Sequence, residues 1–354
     1  MRTLCVFLCL VAVGSFLSVD RPSSASAADG GSLRLYWIDT EGGAATLIVT
    51  PAGESILIDT GNPGLRDAER IAKLATREAG LKRIDHLITT HYHTDHFGGA
   101  ATLSTMIAIG HVHDNGTFDG MPDQPHKEYW DFKCDERSVI DPGETVELKQ
   151  QAGAPEVKLL CLGTRKQFID PQLVGAKENR EIGGQHRPKD RDGSDNANSV
   201  VMLLSFGDFR FFDAGDLTWN QEVALVHPYD LVGTVDVYQV THHGLDASNN
   251  PVVMRTLKPT VAVMNNGHTK GCAPNVVADL KETSSIKAIY QVHKNLRPDG
   301  SMINAPDEFI ANHLAADKCE GHPIHLSVSA DASAYTVAIP SRGHQATYRT
   351  TKKL

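Results

Sequence analysis

The feature that most limits what this chain can become is six residues long. His91-Tyr92-His93-Thr94-Asp95-His96 follows an apolar strand ending at Thr90 and runs into Phe97-Gly98-Gly99. In extended backbone, alternate side chains point to one side, so His91, His93 and Asp95 converge, and His96 joins them as the chain turns into a helix. Three imidazoles and a carboxylate suit zinc or a similar borderline divalent ion. Four such groups in six residues crowd a single relaxed tetrahedral site, so the spacing points to two adjacent ions. The plainer alternative is a polar loop held by His-Asp hydrogen bonds. With 17 His and 28 Asp among 354 residues, the spacing would arise by chance about 0.003 times.

Periodicity around the motif sets the frame. Short strands are expected at 33–38, 45–50 and 55–58, a helix at 65–79 stopping at Gly80, a strand at 85–90 and a short helix at 97–106. Residues 114–141 read as an insertion loop. Strands near 145–148 and 157–162 precede a second loop, 163–195, whose length marks it as functional or mobile. Strands at 200–205 and 209–212 meet at a Gly207-Asp208 hairpin. Helices at 219–226, 252–257 and 276–281 then alternate with strands at 235–240, 261–264 and 287–292, and strands at 324–328 and 334–339 close the chain. Two facing sheets with helices outside, a four-layer αββα sandwich, accommodate this order.

On these residues the chain resembles the metallo-β-lactamase superfamily, whose hallmark is the H-x-H-x-D-H run after a strand. Ile56 to Gly61 is similar to the family's upstream aspartate motif, Ala214-Gly215-Asp216 to its bridging aspartate, and Asp236 to Gly244 to its last histidine motif. The resemblance covers about residues 33–300. The step Asn196-x-x-Ser199, then Gly-Asp, then His-His-Gly is most similar to the hydrolase domain of ComEC-like DNA-uptake proteins and their secreted relatives.

The resemblance implies that His91 and His93 hold one ion, Asp95 and His96 a second, and that Asp216 bridges them. One of His242 and His243 completes the second site, with His243 favoured because it directly precedes Gly244. Asp59 accepts a hydrogen bond that fixes a ligand imidazole, or else caps the turn at Gly61-Asn62-Pro63-Gly64. Where many members have a third histidine, this chain has Asp195-Asn196, so Asn196 or Asp195 completes the first site, or His186 swings in from the loop. An oxygen-richer site admits Mn beside Zn. ComEC-like chains tend to carry a histidine before the proline equivalent to Pro274, where this chain has Ala273, and nearby His268 is the substitute proton donor. His111 and His113 read as solvated, Trp219 as packing, and His293, His322, His325 and His344 as structural or surface residues.

Composition bounds partners and compartment. Arg2 leads into an apolar run, Leu4 to Leu17, then into a stretch of small residues through Ala28, the pattern of a signal peptide cut after Ala27. A run of about 14 residues is short of the roughly 20 that span a bilayer, so no membrane anchor is expected. The expectation is a secreted or periplasmic mature chain, 28–354, forming one domain. Formal net charge is −9, and one unit more negative after the cut, which removes Arg2, Arg21 and Asp20. That argues against long nucleic acid, whose binding rests on Lys and Arg. Cys134, Cys161, Cys272 and Cys319 remain and allow three pairings.

Two ions suit hydrolysis by a metal-bridging hydroxide, without a Ser or Cys nucleophile. Asp95, Asp216 and His268 are then the catalytic candidates. A phosphoester or phosphodiester is the substrate the resemblance favours. A lactam, lactone or thioester is the alternative, and a non-catalytic, metal-stabilised binding module is the reading from a different class.

Overall fold

Alternation within the strands decides the layers. In Leu33–Trp37, Leu33, Leu35 and Trp37 face a central core while Tyr36 faces outward; Ile48, Ile56 and Ile58 repeat the inward choice, and Leu47 and Leu57 the outward one. The computed structural model describes residues 31–180 and 185–352. The export segment read at residues 1–27 lies outside the described residues, as do 181–184 of the second loop. Among the described residues no helix is long and apolar enough to cross a membrane.

Two nine-stranded sheets face each other. The first runs, edge to edge, through His344–Arg349, Ala334–Ile339, Ile324–Val328, Leu33–Trp37, Thr46–Val49, Ser55–Ile58, Arg83–Ile88, Ala108–Asp114 and Cys134–Val139. The second runs through Ile310–Asn312, Ala288–His293, Val261–Met264, Val237–Gln239, Phe209–Asp213, Val201–Phe206, Val157–Thr164 and Thr145–Val146, with Gln167–Phe168 paired to Val157–Thr164. The chain strands nearest the termini are antiparallel in the first sheet, and its last four, from Ser55–Ile58 onward, are parallel. The second sheet is parallel from Phe209–Asp213 to Ile310–Asn312. Its parallel strands are buried on both faces, which is why Val261-Ala262-Val263-Met264 reads as unbroken hydrophobicity.

Helices cover both outer faces. Ile71 and Leu74, from helix Leu65–Lys73 and its π-helical continuation Leu74–Glu78, pack with Leu103 on the first sheet. Val252, Leu257, Val276 and Leu280, from helices Pro251–Leu257 and Pro274–Glu282, pack on the second. The αββα sandwich expected from sequence is the architecture observed.

Three segments depart from expectation. Residues 114–141 are no simple insertion loop: they form helix Lys127–Asp131 and strand Cys134–Val139, which pairs in parallel with Ala108–Asp114. The strand Cys-Asp-Glu-Arg-Ser-Val lies at a sheet edge, where charged side chains discourage further pairing and mask the β pattern. Polar His344–Arg349 caps the opposite edge for the same reason. The loop 163–195 contains the strand Gln167–Phe168, a 3-10 turn at Pro171–Val174 and the strand Lys177–Glu178, paired to Tyr229–Asp230. His113 is not a solvated position, whereas the His111 side chain stays partly exposed beside Glu136. His113 is buried and its ring stacks on that of His111 at 3.9 Å, and the parallel register brings His86 Nδ1 to 3.3 Å from His113 Nε2.

One buried acid tests this packing. Glu222, at the end of helix Trp219–Glu222, accepts a hydrogen bond from Asn250 N at 2.8 Å, and burial pushes its carboxyl from 4.5 up to about 7. A carboxyl raised on folding contributes stability that is full below its unfolded pKa and is lost as pH rises through the folded one. Between pH 5 and pH 8 the wild-type chain is expected to lose roughly 2–3 kcal/mol relative to Glu222→Gln, at 1.36 kcal/mol per pKa unit. Urea melts at the two pH values check this. A pH-independent difference between the proteins would refute it.

Candidate metal centre

The parallel strands of both sheets end on one side of the sandwich, the usual place for a site in such sheets. Asp59 follows Ser55–Ile58, and the His91 to His96 run follows Arg83–Ile88. Asp216 follows Phe209–Asp213, and His242-His243 follows Val237–Gln239. Helix Thr94–Phe97 begins directly after His93. Gly99 lets it settle on the Asp59 loop, since a Cβ there would stand 2.2 Å from Thr60 O. Asp59, His242 and His243 all adopt left-handed backbone, at φ 61°, 54° and 55°. Non-glycine residues held there cost of order 1–3 kcal/mol each, and such strain concentrates at functional sites.

Four imidazoles converge on one carboxylate oxygen. Asp216 Oδ2 lies 3.2 Å from His96 Nε2, 3.3 Å from His243 Nε2, 3.4 Å from His242 Nε2 and 4.0 Å from His91 Nε2. Asp95 Oδ2 joins at 3.3 Å from His243 Nε2 and 3.6 Å from His96 Nε2. In each imidazole the other nitrogen is engaged. His96 Nδ1 is 2.6 Å from Asp59 Oδ2, His91 Nδ1 3.1 Å from Thr90 Oγ1, His242 Nδ1 3.1 Å from Ser248 Oγ and His243 Nδ1 2.9 Å from Asn265 O. Such partners fix ring orientation and leave Nε2 to act as a ligand. Asp59 is itself held by Thr90, whose N and Oγ1 donate to its carboxylate at 2.8 and 2.7 Å.

The donors fit divalent ions. His91 Nε2 and Asn196 Oδ1 are buried without hydrogen-bond partners among the described residues, an arrangement that costs 1–3 kcal/mol per group unless something binds there. The cluster also draws positive charge. Burial opposes protonation of His96, yet Asp216, Asp59 and Asp95 outweigh it and hold the imidazole well above its ordinary range. Burial raises the Asp216 carboxyl, but His243, His96 and His242 outweigh it and hold it well below. His91 is instead pushed well down by burial and by His96, so its Nε2 lone pair is free. The ammonium of Lys270 sits on Asp95 Oδ2.

The sequence candidates therefore divide. Asp95, His96, Asp216 and His243 present ligand atoms within 4.8 Å of one another. His242 and His91 also approach Asp216 Oδ2, and Asn196 Nδ2 lies 3.4 Å from His242 Nε2. His93 packs edge-on against His91, ring centroids 4.8 Å apart, but its Nε2 faces Asp123 Oδ2 at 3.3 Å. Asp195 accepts from Tyr92 N at 2.7 Å and anchors the motif loop, and His186 bonds Asn250 rather than the cluster. His268, the candidate proton donor, lies against Glu41 Oε2 at 3.3 Å, and Lys270, two residues on, is the group that reaches the cluster. Sequence reasoning missed Lys270, Asp123 and Ser248, because nothing in local spacing marks them. Trp219 lines an open groove of about 540 Å³ with Lys189, whose ammonium stands 3.7 Å over its ring. It also binds the second loop, donating from Nε1 to Arg187 O at 2.8 Å.

If Asp59 sets the basicity of His96, Asp59→Asn should weaken ion binding about 10–100-fold, the usual effect of losing a partner to a ligand histidine. Chelator competition measures this, and an unchanged affinity would assign Asp59 to capping alone.

The metallo-beta-lactamase superfamily model matches residues 38–160, which include Asp59 and the whole His91 to His96 run. Over those residues the chain is similar to that superfamily. It is 24% identical over 229 residues to competence protein ComA of Neisseria gonorrhoeae, covering 64% of this chain and 26% of that one. It is 25% identical over 233 residues to recombination protein 2 of Haemophilus influenzae, covering 65% and 24%. The chain thus spans about a quarter of the length of these curated relatives. Among solved structures, a diphosphatase from the PhnP family aligns at 12% identity and TM-score 0.36 over 67% of this chain and 87% of that one.

Proposed function

We propose that this chain is an exported, metal-dependent hydrolase of phosphoesters. One observation carries the reading: four imidazole Nε2 atoms surround Asp216 Oδ2 with their opposite nitrogens already engaged. His91, His242 and Asn196 would hold one ion and Asp95, His96 and His243 the other, with Asp216 reaching both sets, while His93, which the resemblance assigns to the first, faces Asp123. Zn suits these donors best, with Mn admitted by the oxygens. Such ions would supply a nucleophile from water at neutral pH and polarise a phosphoryl or carbonyl oxygen.

The protein's own groups do the rest. Asp59 keeps His96 in the tautomer that presents Nε2, and Ser248 and Asn265 do so for His242 and His243. Lys270, whose ammonium sits on Asp95 Oδ2, would place a cation beside the cluster for an anionic ester. A groove walled by Lys189 and Trp219 includes Thr218, two residues after Asp216. The groove has the size of a small-molecule site. A net charge of −9 disfavours a long polyanion, so the substrate is a small phosphoester or phosphodiester. Residues 1–27 support export, and mass spectrometry of the mature chain should show it beginning at Ala28.

A reporter panel tests the substrate class. Protein supplied with Zn or Mn is expected to cleave bis-p-nitrophenyl phosphate and to stop with chelator. Lys270→Ala should raise KM roughly tenfold, the loss of one charge-assisted hydrogen bond. Turnover of nitrocefin or a thioester instead would transfer the assignment to those substrates. Bound metal with no turnover of any reporter would leave a binding module.

A further inference from the structure

We propose that Asp39, Glu41, His293 and Cys319 form a separate, four-ligand zinc site beside the catalytic mouth. They come from the end of strand Leu33–Trp37, the loop after it, the end of strand Ala288–His293, and the residue following the 3-10 turn Ala316–Lys318. Their ligand atoms all lie within 4.8 Å of one another. Cys319 Sγ is 3.0 Å from Asp39 Oδ2, and His293 Nε2 is 3.3 Å from Glu41 Oε2. In a tetrahedral zinc site with bonds of 2.0–2.3 Å, ligand atoms sit about 3.5 Å apart, so adjustments of about 1 Å close the set.

Two independent observations point to a ligand. His293 is fully buried, and its Nε2, 3.3 Å from Glu41 Oε2, makes no hydrogen bond among the described residues. The buried charges also balance only if a cation binds or an imidazole is protonated. Asp39 and Glu41 are both buried in their side chains and share one guanidinium, Arg70 Nη1, at 3.2 and 3.5 Å. One guanidinium against two carboxylates leaves one negative charge, for a bound cation or a protonated His268 or His293, each 3.3 Å from Glu41 Oε2, to balance. A dication together with a Cys319 thiolate brings the sum to zero. The thiol proton leaves to solvent as zinc binds, as in other thiolate sites.

Without a cation the groups oppose one another. Burial and the Asp39 carboxylate push the Cys319 thiol up, and burial and Glu41 push Asp39 up. The surrounding structure holds the ligands in place regardless. Arg70 Nη2 donates to Cys319 O at 2.8 Å, and at Gly321 (φ 75°) a Cβ would meet Arg70 Nε at 2.3 Å, so the loop lies directly on the guanidinium. A thiolate and an imidazole select zinc over Mg, Ca or Mn, and four protein ligands leave no open position, the pattern of a structural ion. Such an ion would tie the 316–321 segment to the Asp39 loop, where Ala44 N donates to Asp95 O at 3.1 Å.

The test uses the full chain loaded with cobalt(II) in place of its native ions. The centre around Asp216 contains no sulfur, so a near-ultraviolet thiolate-to-cobalt charge-transfer band reports this site alone. The band is expected in the wild-type protein and in Cys134→Ser, and is expected to vanish in Cys319→Ser. Zinc per chain should fall by one in Cys319→Ser and in His293→Ala. A wild-type protein without the band, or a Cys319→Ser protein with the band and full zinc, overturns the proposal. The cluster is then a protonic network in which an imidazolium at His293 neutralises Glu41. If either variant fails to fold, the wild-type spectrum alone decides.

Discussion

Asp216→Asn is expected to lower kcat/KM on a phosphodiester reporter by at least about 10³-fold, roughly 4 kcal/mol at 1.36 kcal/mol per decade, and to lose bound metal. The size follows from geometry. One oxygen of Asp216 stands 3.2–4.0 Å from four imidazole nitrogens, at a point where no other carboxylate is shared by both halves of the cluster. The change keeps the shape but removes the charge and one of the two acceptor oxygens. Steady-state kinetics with metal analysis on the same sample measure both effects. Activity within tenfold of wild type would mean that Asp216 does not hold the ions.

The second large effect concerns the frame. Trp37 is fully buried between the sheets, packs edge-to-face on Phe211 at 5.8 Å, and donates from Nε1 to Gln239 Oε1 at 2.5 Å. Trp37→Ala opens a cavity and leaves Gln239 Oε1 unpaired, at a cost of about 3–5 kcal/mol. For a chain of this size that lowers Tm by about 5–10 °C. Trp37→Phe, which keeps most of the volume and loses the hydrogen bond, should cost about 1–2 kcal/mol. Gln239 ends the strand that carries His242 and His243, so the larger substitution should also loosen metal binding. Thermal and urea melts decide this. A Trp37→Ala protein within 1 kcal/mol of wild type would show that the contact between the sheets there is dispensable.

The readable parts of the sequence were those in which one segment carries the whole signal. Val261-Ala262-Val263-Met264 declares a doubly buried strand, and the strands Ile324–Val328 and Ala334–Ile339 fall where alternation puts them. The His91 to His96 run points to metal chemistry by spacing, Asp59, Asp216 and His243 come from the family resemblance, and the structure brings Asp95, His96, Asp216 and His243 together. What escaped was assembled from distant segments. Cys134–Val139 is a strand only because Ala108–Asp114 offers it an edge. The pairing of His93 with Asp123 crosses 30 residues of polar chain. His293, read as structural or surface, is fully buried beside Asp39, Glu41 and Cys319, residues more than 250 positions apart at the extremes, and no spacing rule connects them. The four cysteines are all free thiols, so none of the three pairings applies.

Whether the cluster around Asp216 is the seat of hydrolysis is settled most directly by removing and restoring its ions. The protein stripped by chelator is expected to be folded but inactive toward bis-p-nitrophenyl phosphate, to regain activity as Zn or Mn is added back, and to regain none when Asp216→Asn is treated in the same way. Hydrolysis that persists in the stripped protein, or a restored rate that is equal in the Asp216→Asn protein, would contradict the account.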